Sequence, residues 1–130
     1  MTSVLNVDTI ADKAGTGPVG LTKQSPAKAW VLFMGDTNVI RNSFNFSSLT
    51  DNDTGSYDVN WTNAFDGASN YVGAGSCIGS DETSSGTLGN VFASGTSGFT
   101  ASAMPISTRN AAGTRLDCDH VHVLAHGDLA

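Results

Sequence analysis

The sequence predicts an all-β domain, an antiparallel β-sandwich of the jelly-roll-like or small Greek-key kind. Short segments in which apolar and polar residues alternate recur along the chain, and each ends in Gly, Asn, Asp or Ser. No stretch carries the 3.6-residue period of an amphipathic helix. Charged residues make up only 14%, against about 25% in ordinary soluble domains, and there are 15 glycines. This balance suits short strands with many turns, or surfaces hidden in an assembly.

Residues 1–28 differ from the rest and are predicted to form an extended leader. The glycines and prolines at Gly15, Gly17, Pro18, Gly20 and Pro26 exclude a helix longer than a short turn. The spacing Gly15-x-Gly17-x-x-Gly20 matches a dinucleotide fingerprint, but no helical pattern follows it, so we expect no nucleotide there. The apolar residues of the leader fit neither a helix face nor a long strand, and we expect them to bind a neighbouring subunit: Val4, Leu5, Val7, Ile10, Val19 and Leu21.

Residues 29–130 are predicted to form the sandwich domain. Residues 29–34 are apolar on both parities, which is typical of a strand covered on both faces. A turn at 35–38 leads into a strand over 39–46, and a hairpin follows, with its turn at 50–55. On the far side of that hairpin Tyr57, Val59 and Trp61 alternate with polar residues and should be buried. Further strands are predicted over 70–78, 88–93, 99–104 and 116–125, with loops at 79–86, 94–98 and 107–114.

Two short sequence patterns are candidate metal-binding sites. Asp51-x-Asp53-x-Gly55 resembles the start of a calcium loop, but no acidic residue closes it, and a plain turn is favoured. His120 and His122 lie two apart in a predicted strand, so both imidazoles leave one face, with His126 on the same parity. One chain offers too few ligands, whereas three copies around a three-fold axis would offer six. A pair of solvated histidines on an ordinary strand is favoured over this metal site, because histidine on a polar face usually needs no ligand.

No motif indicates catalysis, and we expect neither an enzyme nor a cofactor. A G-x-S-x-G elbow is absent, and a glycosidase pair would need two Asp, since Glu82 is the only glutamate. A sugar-stacking platform from Trp30, Tyr57, Trp61 and Tyr71 is less favoured than burial in the core.

The net charge and the cysteines indicate which classes of partner and which cellular compartment to expect. A net charge of −6 argues against nucleic acid and against an anionic membrane surface. No apolar run could span a bilayer, and no secretory signal pattern begins the chain. Synthesis in a cytoplasm is therefore expected. Cys77 and Cys118 are predicted to be reduced and buried, with one disulfide as the alternative.

The leader and the hairpin resemble a known family. An ordered string of segments is similar to the start of the C-terminal domain of many bacteriophage tail-fibre proteins: LNVDTI at 5–10, AGTGP at 14–18, LTKQ at 21–24, AKAWV at 27–31, IRNSFN at 40–45, DN at 51–52, Gly55-x-Tyr57 and Val59-Asn60. The resemblance covers about the first half of the chain. The second half departs from the pattern, apart from a closing Val121-x-Val123-x-Ala125-x-Gly127.

The resemblance implies an all-β homotrimer located in the virion, and a non-enzymatic structural role. Paired histidines hold iron at the tips of some trimeric phage fibres and spikes, which is the precedent for His120 and His122. Because Met1 directly precedes the matching segment, we expect the domain to be the whole protein and to attach through its leader.

The sequence leaves three functions open. The first is a short tail fibre or tail-tip domain that binds a host-surface glycan or protein through its loops. The second is a capsid decoration or head-fibre subunit, and the third is a carbohydrate-binding or carbohydrate-cleaving module.

Overall fold

The computed structural model describes residues 26–79, 98–110 and 112–130 in full and the backbone of 88–93. These residues form eight strands and no helix: β1 (Ala29–Phe33), β2 (Ile40–Phe44), β3 (Phe46–Asp53), β4 (Ser56–Trp61), β5 (Tyr71–Ile78), β6 (Leu88–Ala93), β7 (Ala103–Arg109) and β8 (His120–Gly127). The all-β prediction is confirmed. The predictions for residues 1–25, including the six apolar leader residues and the glycine fingerprint, lie outside the described residues.

The strands form two antiparallel layers. Their hydrogen-bonded order is β2-β1-β8-β5-β6-β7-β4-β3, and every pairing is antiparallel. One layer, called the β8 layer, consists of β2, β1, β8 and β5. The other, called the β4 layer, consists of β6, β7, β4 and β3, and the pairing of β5 with β6 joins the two. The layers face each other across the core, where the rings of Phe33 and Tyr57 meet edge to face at 5.2 Å. Strands β5, β6 and β7 follow one another, and β8 returns beside β5, which is a Greek-key arrangement.

The two outermost strands meet at one residue. Although β2 and β3 stand at opposite ends of the strand order, only Asn45 separates them in the chain. Asn45 has φ of 53°, a left-handed conformation that asparagine tolerates better than most residues. Its carbonyl accepts a hydrogen bond from the Thr62 amide at 3.2 Å. The single strand predicted over 39–46 is therefore wrong, because the chain changes layer at Asn45.

The core follows the predicted alternation. Tyr57, Val59 and Trp61 are all buried, as the hairpin pattern indicated. In β1 every second residue is buried, whereas Trp30 and Leu32 remain partly exposed, so the prediction of a strand covered on both faces holds for one face only. A chain of aromatic contacts fills one end of the core, with Tyr71 stacked on Phe65 at 4.2 Å.

Two strand boundaries differ from the sequence-based prediction. The strand expected over 99–104 runs instead from Ala103 to Arg109, so the predicted loop at 107–114 begins only at residue 110. Pro105 explains the error, since proline usually argues against a central strand. The β6 ladder ends opposite Ile106, which leaves Pro105 outside that ladder. The last strand begins at His120, four residues later than expected.

Candidate functional site

The outward surface of the β8 layer is the most distinctive feature of the described chain. The strand registers align Phe44, Trp30, Leu124 and Ala74 in one row across the four strands. The next row holds Asn42, Leu32, His122 and Ser76 in the same way. We call this surface the β8 face and complete it with the remaining outward residues of β5 and β8: Val72, Ile78, His120 and His126.

Large apolar side chains on the β8 face are open to solvent. Val72 is 69% exposed, Phe44 54%, Ile78 47% and Leu124 38%. Scattered apolar residues are normal on protein surfaces, but a contiguous group marks an interaction site. Phe44 and Leu124 are joined through Trp30 in one row that continues to Ala74 on β5. The β8 face is therefore the candidate interaction surface of the described chain.

The aligned rows of the β8 face contain no Asp, Glu, Lys or Arg, although the whole chain carries a net charge of −6. Arg41 lies beside them, at the irregular part of the β1–β2 pairing, and its guanidinium donates to the Met34 sulfur at 2.9 Å. Lys28 stands just beyond the edge of this face, where its amide bonds to the carbonyl of Ala125 at 2.9 Å.

On β3 and β4 the outward surface of the opposite layer is polar: Asp58 lies opposite Thr50, and the side-chain amide of Asn60 donates to the Thr50 hydroxyl at 3.3 Å. The outward rows of the β8 face and the outward residues of β3 and β4 thus differ in polarity.

The three histidines all project from this face, as predicted for His120 and His122. Their neighbours Val121, Val123 and Ala125 are buried on the other side of β8. His122 lies between Leu32 and Ser76, and His120 lies opposite Ile78. Among the described residues no group of three or more His, Cys, Asp or Glu side chains could hold a metal ion. A metal at His120 and His122 stays a prediction that requires several copies.

Asp117 joins three turns at one end of the sandwich, a role that the sequence did not reveal. Its Oδ1 accepts hydrogen bonds from the Tyr57 hydroxyl at 2.5 Å and from the Gly55 amide at 2.7 Å. The Tyr57 hydroxyl also lies 3.0 Å from the carbonyl oxygen of Gly35. Burial, and then the neighbouring Asp117 carboxylate, raise the pKa of Tyr57. Asp117 falls within the strand predicted over 116–125, but it lies in the connection before β8.

The predicted turn around Asp51 and Gly55 is confirmed and is tighter than expected. Strand β3 continues to Asp53, and the reversal is made by Thr54 and Gly55, with φ of +60° at Gly55. The Asp51 carboxylate accepts a hydrogen bond from the side-chain amide of Asn38 at 2.7 Å. Turn formation accounts for these polar residues, as the sequence favoured.

Cys77 and Cys118 are both buried and neither is in a disulfide. Interaction with Cys118, and then burial, raise the pKa of Cys77, whereas interaction with Cys77 lowers the pKa of Cys118.

The other residues predicted to bind ligands lie in different parts of the structure. Tyr57, Trp61 and Tyr71 belong to the core, so only Trp30 of the proposed sugar platform reaches a surface, the β8 face. Of the predicted recognition loops at 79–86, 94–98 and 107–114, the first two lie outside the described residues except at positions 79 and 98. In the third, the backbone amide of Asn110 donates to the Thr114 carbonyl at 2.9 Å.

The described residues contain no helix long and apolar enough to cross a membrane. Searches of protein-family models, of curated proteins and of solved structures all found no match to this chain.

Proposed function

We propose that this chain is a non-enzymatic structural protein of a bacteriophage virion, a short tail fibre or tail-tip domain that takes part in host attachment as a homotrimer. One structural observation supports the proposal most directly: large apolar side chains of the β8 face are exposed and no carboxylate stands among its aligned rows, while the outward residues of β3 and β4 are polar. The ordered similarity of the first half of the chain to tail-fibre C-terminal domains supplies the biological setting.

The charge distribution favours a second copy of the chain as the partner of the β8 face. Two molecules of net charge −6 repel each other, and the repulsion is smallest where their carboxylates are far from the contact. The β8 face meets this condition, since its aligned rows carry no Asp or Glu and the charged side chain described beside them, Arg41, is a cation.

The size of the β8 face limits what it can do alone. Four strands about 4.8 Å apart and about seven residues long cover on the order of 400 Å². A standard interface takes about 800 Å² from each partner. Further contact is therefore needed for a stable trimer, and we assign it to the apolar leader residues, which would also dock the protein on other virion components.

The position of β8 also bears on the predicted metal. This strand lies inside its layer, between β1 and β5, so a three-fold axis through the β8 face would gather His120 and His122 from three copies. Six imidazoles suit an octahedral transition-metal ion. In the same arrangement the surface of the β4 layer and the loops would point outward to the host.

The oligomeric state gives the first test. Light scattering after size exclusion should give a mass of about 40 kDa for a trimer of 13.3 kDa chains. Leu124→Lys places a charge in the middle of the β8 face and should yield monomers. Thr50→Lys adds the same charge on the β4 layer, where Thr50 is exposed, and should leave the trimer intact. A 13 kDa wild-type protein would refute the trimer, and a trimeric Leu124→Lys variant would refute the β8 face as its interface.

The position on the particle gives the second test. Labelled antibody on intact virions should mark the tail or its tip. Uniform labelling of the head would favour the alternative, a capsid decoration or head-fibre protein, which the same trimer and leader would serve. A chain lacking residues 1–28 should fold but fail to enter virions, and normal incorporation would contradict the leader's role. Binding on a glycan array, or hydrolysis of a polysaccharide, would instead support a carbohydrate-specific module.

A further inference from the structure

Two strands of the β8 layer have a free outer edge in the described part of the chain. Among the described strands β2 pairs with β1 alone, and it ends the strand order on that side. Strand β5 pairs with β6 only at 76–78, so no described strand borders the outer edge of residues 71–75. Such an edge offers unpaired amides and carbonyls to another strand.

The backbone hydrogen bonds indicate which amides point to these free edges. The Ser43 amide donates to the side-chain oxygen of the preceding residue at 2.9 Å, so it is turned away from β1. Ser43 belongs to a row that continues through Val31 and Val123 to Gly75. Residues along such a row face their two neighbouring strands alternately. Because Ser43 faces outward at one end of the row, Gly75 faces outward at the other, and so does Gly73, two residues before it.

The two edges also carry most of the exposed large apolar side chains. Five of the seven in the described residues lie on β2, on β5 or directly before β2: Val39, Ile40, Phe44, Val72 and Ile78. Free edges are usually protected by charged residues or proline, but β5 has neither and β2 has only Arg41. Neither strand contains an acidic residue, so two chains of net charge −6 can approach each other here.

We propose that the β2 edge of one copy pairs with the β5 edge of the next, so that three copies of the four-stranded layer close one continuous antiparallel sheet around the three-fold axis. Within a copy β2 and β5 run in opposite directions. Rotation about an axis along the strands preserves their directions, so the new pairing is antiparallel as well. The contact joins two different surfaces of the chain, and a head-to-tail contact of this kind forms a ring when the rotation closes.

The free stretches favour one register for this pairing. Residues whose amides face each other form the hydrogen-bonded pairs of an antiparallel ladder. With Ser43 opposite Gly75, β2 would run into the part of β5 that β6 already occupies. We assign the register in which Ser43 lies opposite Gly73. Phe44 then lies opposite Val72, so that the two most exposed of the large apolar side chains cover each other.

The width of the layer agrees with closure at three copies. Four strands about 4.8 Å apart make a face about 19 Å wide. A triangle with sides of this length places each face about 5.5 Å from the axis, close to half of the roughly 10 Å between packed sheets. Side chains of the β8 face would therefore fill the space around the axis. Four copies would place each face about 10 Å from the axis and leave the centre empty.

This pairing rests on the proposed homotrimer and specifies how its copies join. It adds to the limited area of the β8 face, because each copy gains backbone hydrogen bonds at two edges. In the single copy the Asn42 side chain occupies the Ser43 amide, and the strand of the next copy would take its place.

Engineered cysteines test the pairing in the full chain. In the assigned register positions 44 and 72 form a non-hydrogen-bonded pair, with Cα atoms about 4.5 Å apart and within disulfide range. Within one copy they lie on the two edge strands of the layer, at least about 14 Å apart, which is too far for a disulfide. A chain carrying both Phe44→Cys and Val72→Cys should therefore form, after mild oxidation, a covalent trimer of 13.3 kDa chains on non-reducing gels.

The controls use the same exposed surface. Phe44→Cys combined with Ile78→Cys should give no cross-link, because Ile78 is exposed on the same strand but lies where β5 pairs with β6. Phe44→Cys alone and Val72→Cys alone should also stay unlinked, whereas the two single variants expressed together should give covalent dimers. The wild type, treated in the same way, controls for the buried Cys77 and Cys118.

Light scattering on the same samples separates this pairing from the proposed trimer. A trimeric wild type whose Phe44→Cys, Val72→Cys variant stays unlinked would overturn the β2–β5 pairing and leave the homotrimer standing. Covalent dimers of Phe44→Cys alone would reveal a symmetric contact and would also overturn the pairing. A ladder of products longer than the trimer would overturn the closed ring. A monomeric wild type would overturn the homotrimer and this pairing together.

Discussion

Replacing Tyr57 with phenylalanine removes one oxygen from the junction of three turns and should lower the free energy of unfolding. The hydroxyl donates to the Asp117 carboxylate at 2.5 Å, and the side chain has 0% exposure. A hydrogen bond to a charged group contributes about 1.5–3 kcal/mol. The ring contact with Phe33, at 5.2 Å, needs no hydroxyl and should persist. We therefore expect a loss of about 2 kcal/mol, because Asp117 keeps only its bond from the Gly55 amide.

Urea denaturation at one fixed protein concentration measures this loss. With an m-value of about 2 kcal/mol/M, the midpoint should fall by about 1 M while the slope stays constant. The matched control is Tyr71→Phe, since the Tyr71 hydroxyl is also inside the protein but donates to a neutral acceptor, the Ala103 carbonyl, at 2.9 Å. That change should cost about 1 kcal/mol. Equal midpoints for Tyr57→Phe and wild type, or a larger loss in Tyr71→Phe, would refute the reasoning.

Three further measurements test the same structure. Burial raises the pKa of Tyr57 and of Tyr71, so folding holds both phenols neutral; this contribution to stability is complete below about pH 10 and is lost as the pH rises above it. Phenolate absorbance near 295 nm should then rise only together with unfolding, and a separate earlier rise would contradict this. Gly55 and Gly113 both have positive φ, but a Cβ at Gly55 would lie 2.7 Å from the Thr108 carbonyl oxygen, while one at Gly113 would meet nothing within 4 Å. Gly55→Ala should therefore cost about 3 kcal/mol or more and Gly113→Ala about 1 kcal/mol, as thermal unfolding would show. Elemental analysis of purified protein should find about one metal ion per three chains, absent in His122→Ala, and a metal-free wild type would leave the histidines as solvated residues.

The hairpin of β3 and β4 shows what local pattern can predict. The alternation of Tyr57, Val59 and Trp61 indicated a half-buried strand, and all three are buried. The polar cluster before them indicated a reversal, which occurs at Thr54 and Gly55. Both predictions succeed because period-2 burial and turn chemistry are properties of neighbouring residues.

Features that depend on residues far apart in the chain were not predicted from the sequence. The break at Asn45 arises because the chain must pass from one layer to the other, and the alternation of Phe44 and Phe46 carries no sign of it. Asp117 acts through Tyr57 and Gly55, which are about sixty positions away in sequence. The sequence contains a signal for the β8 face. Alternate positions of the strands predicted over 29–34 and 116–125 carry no charged residue and include Trp30, Leu32, His122 and Leu124.

The placement of β8 makes one whole layer of the sandwich depend on a strand that is synthesised late. This strand is the last described strand in the chain, yet it pairs with both β1 and β5 in the interior of its layer. A nascent chain that has not yet released β8 from the ribosome leaves both neighbours without a partner. A copy cut before β8 would lack the three histidines, Leu124 and three buried core residues, Val121, Val123 and Ala125. β1 and β5 would then each lose the partner that joins them, and this layer could not close over the core.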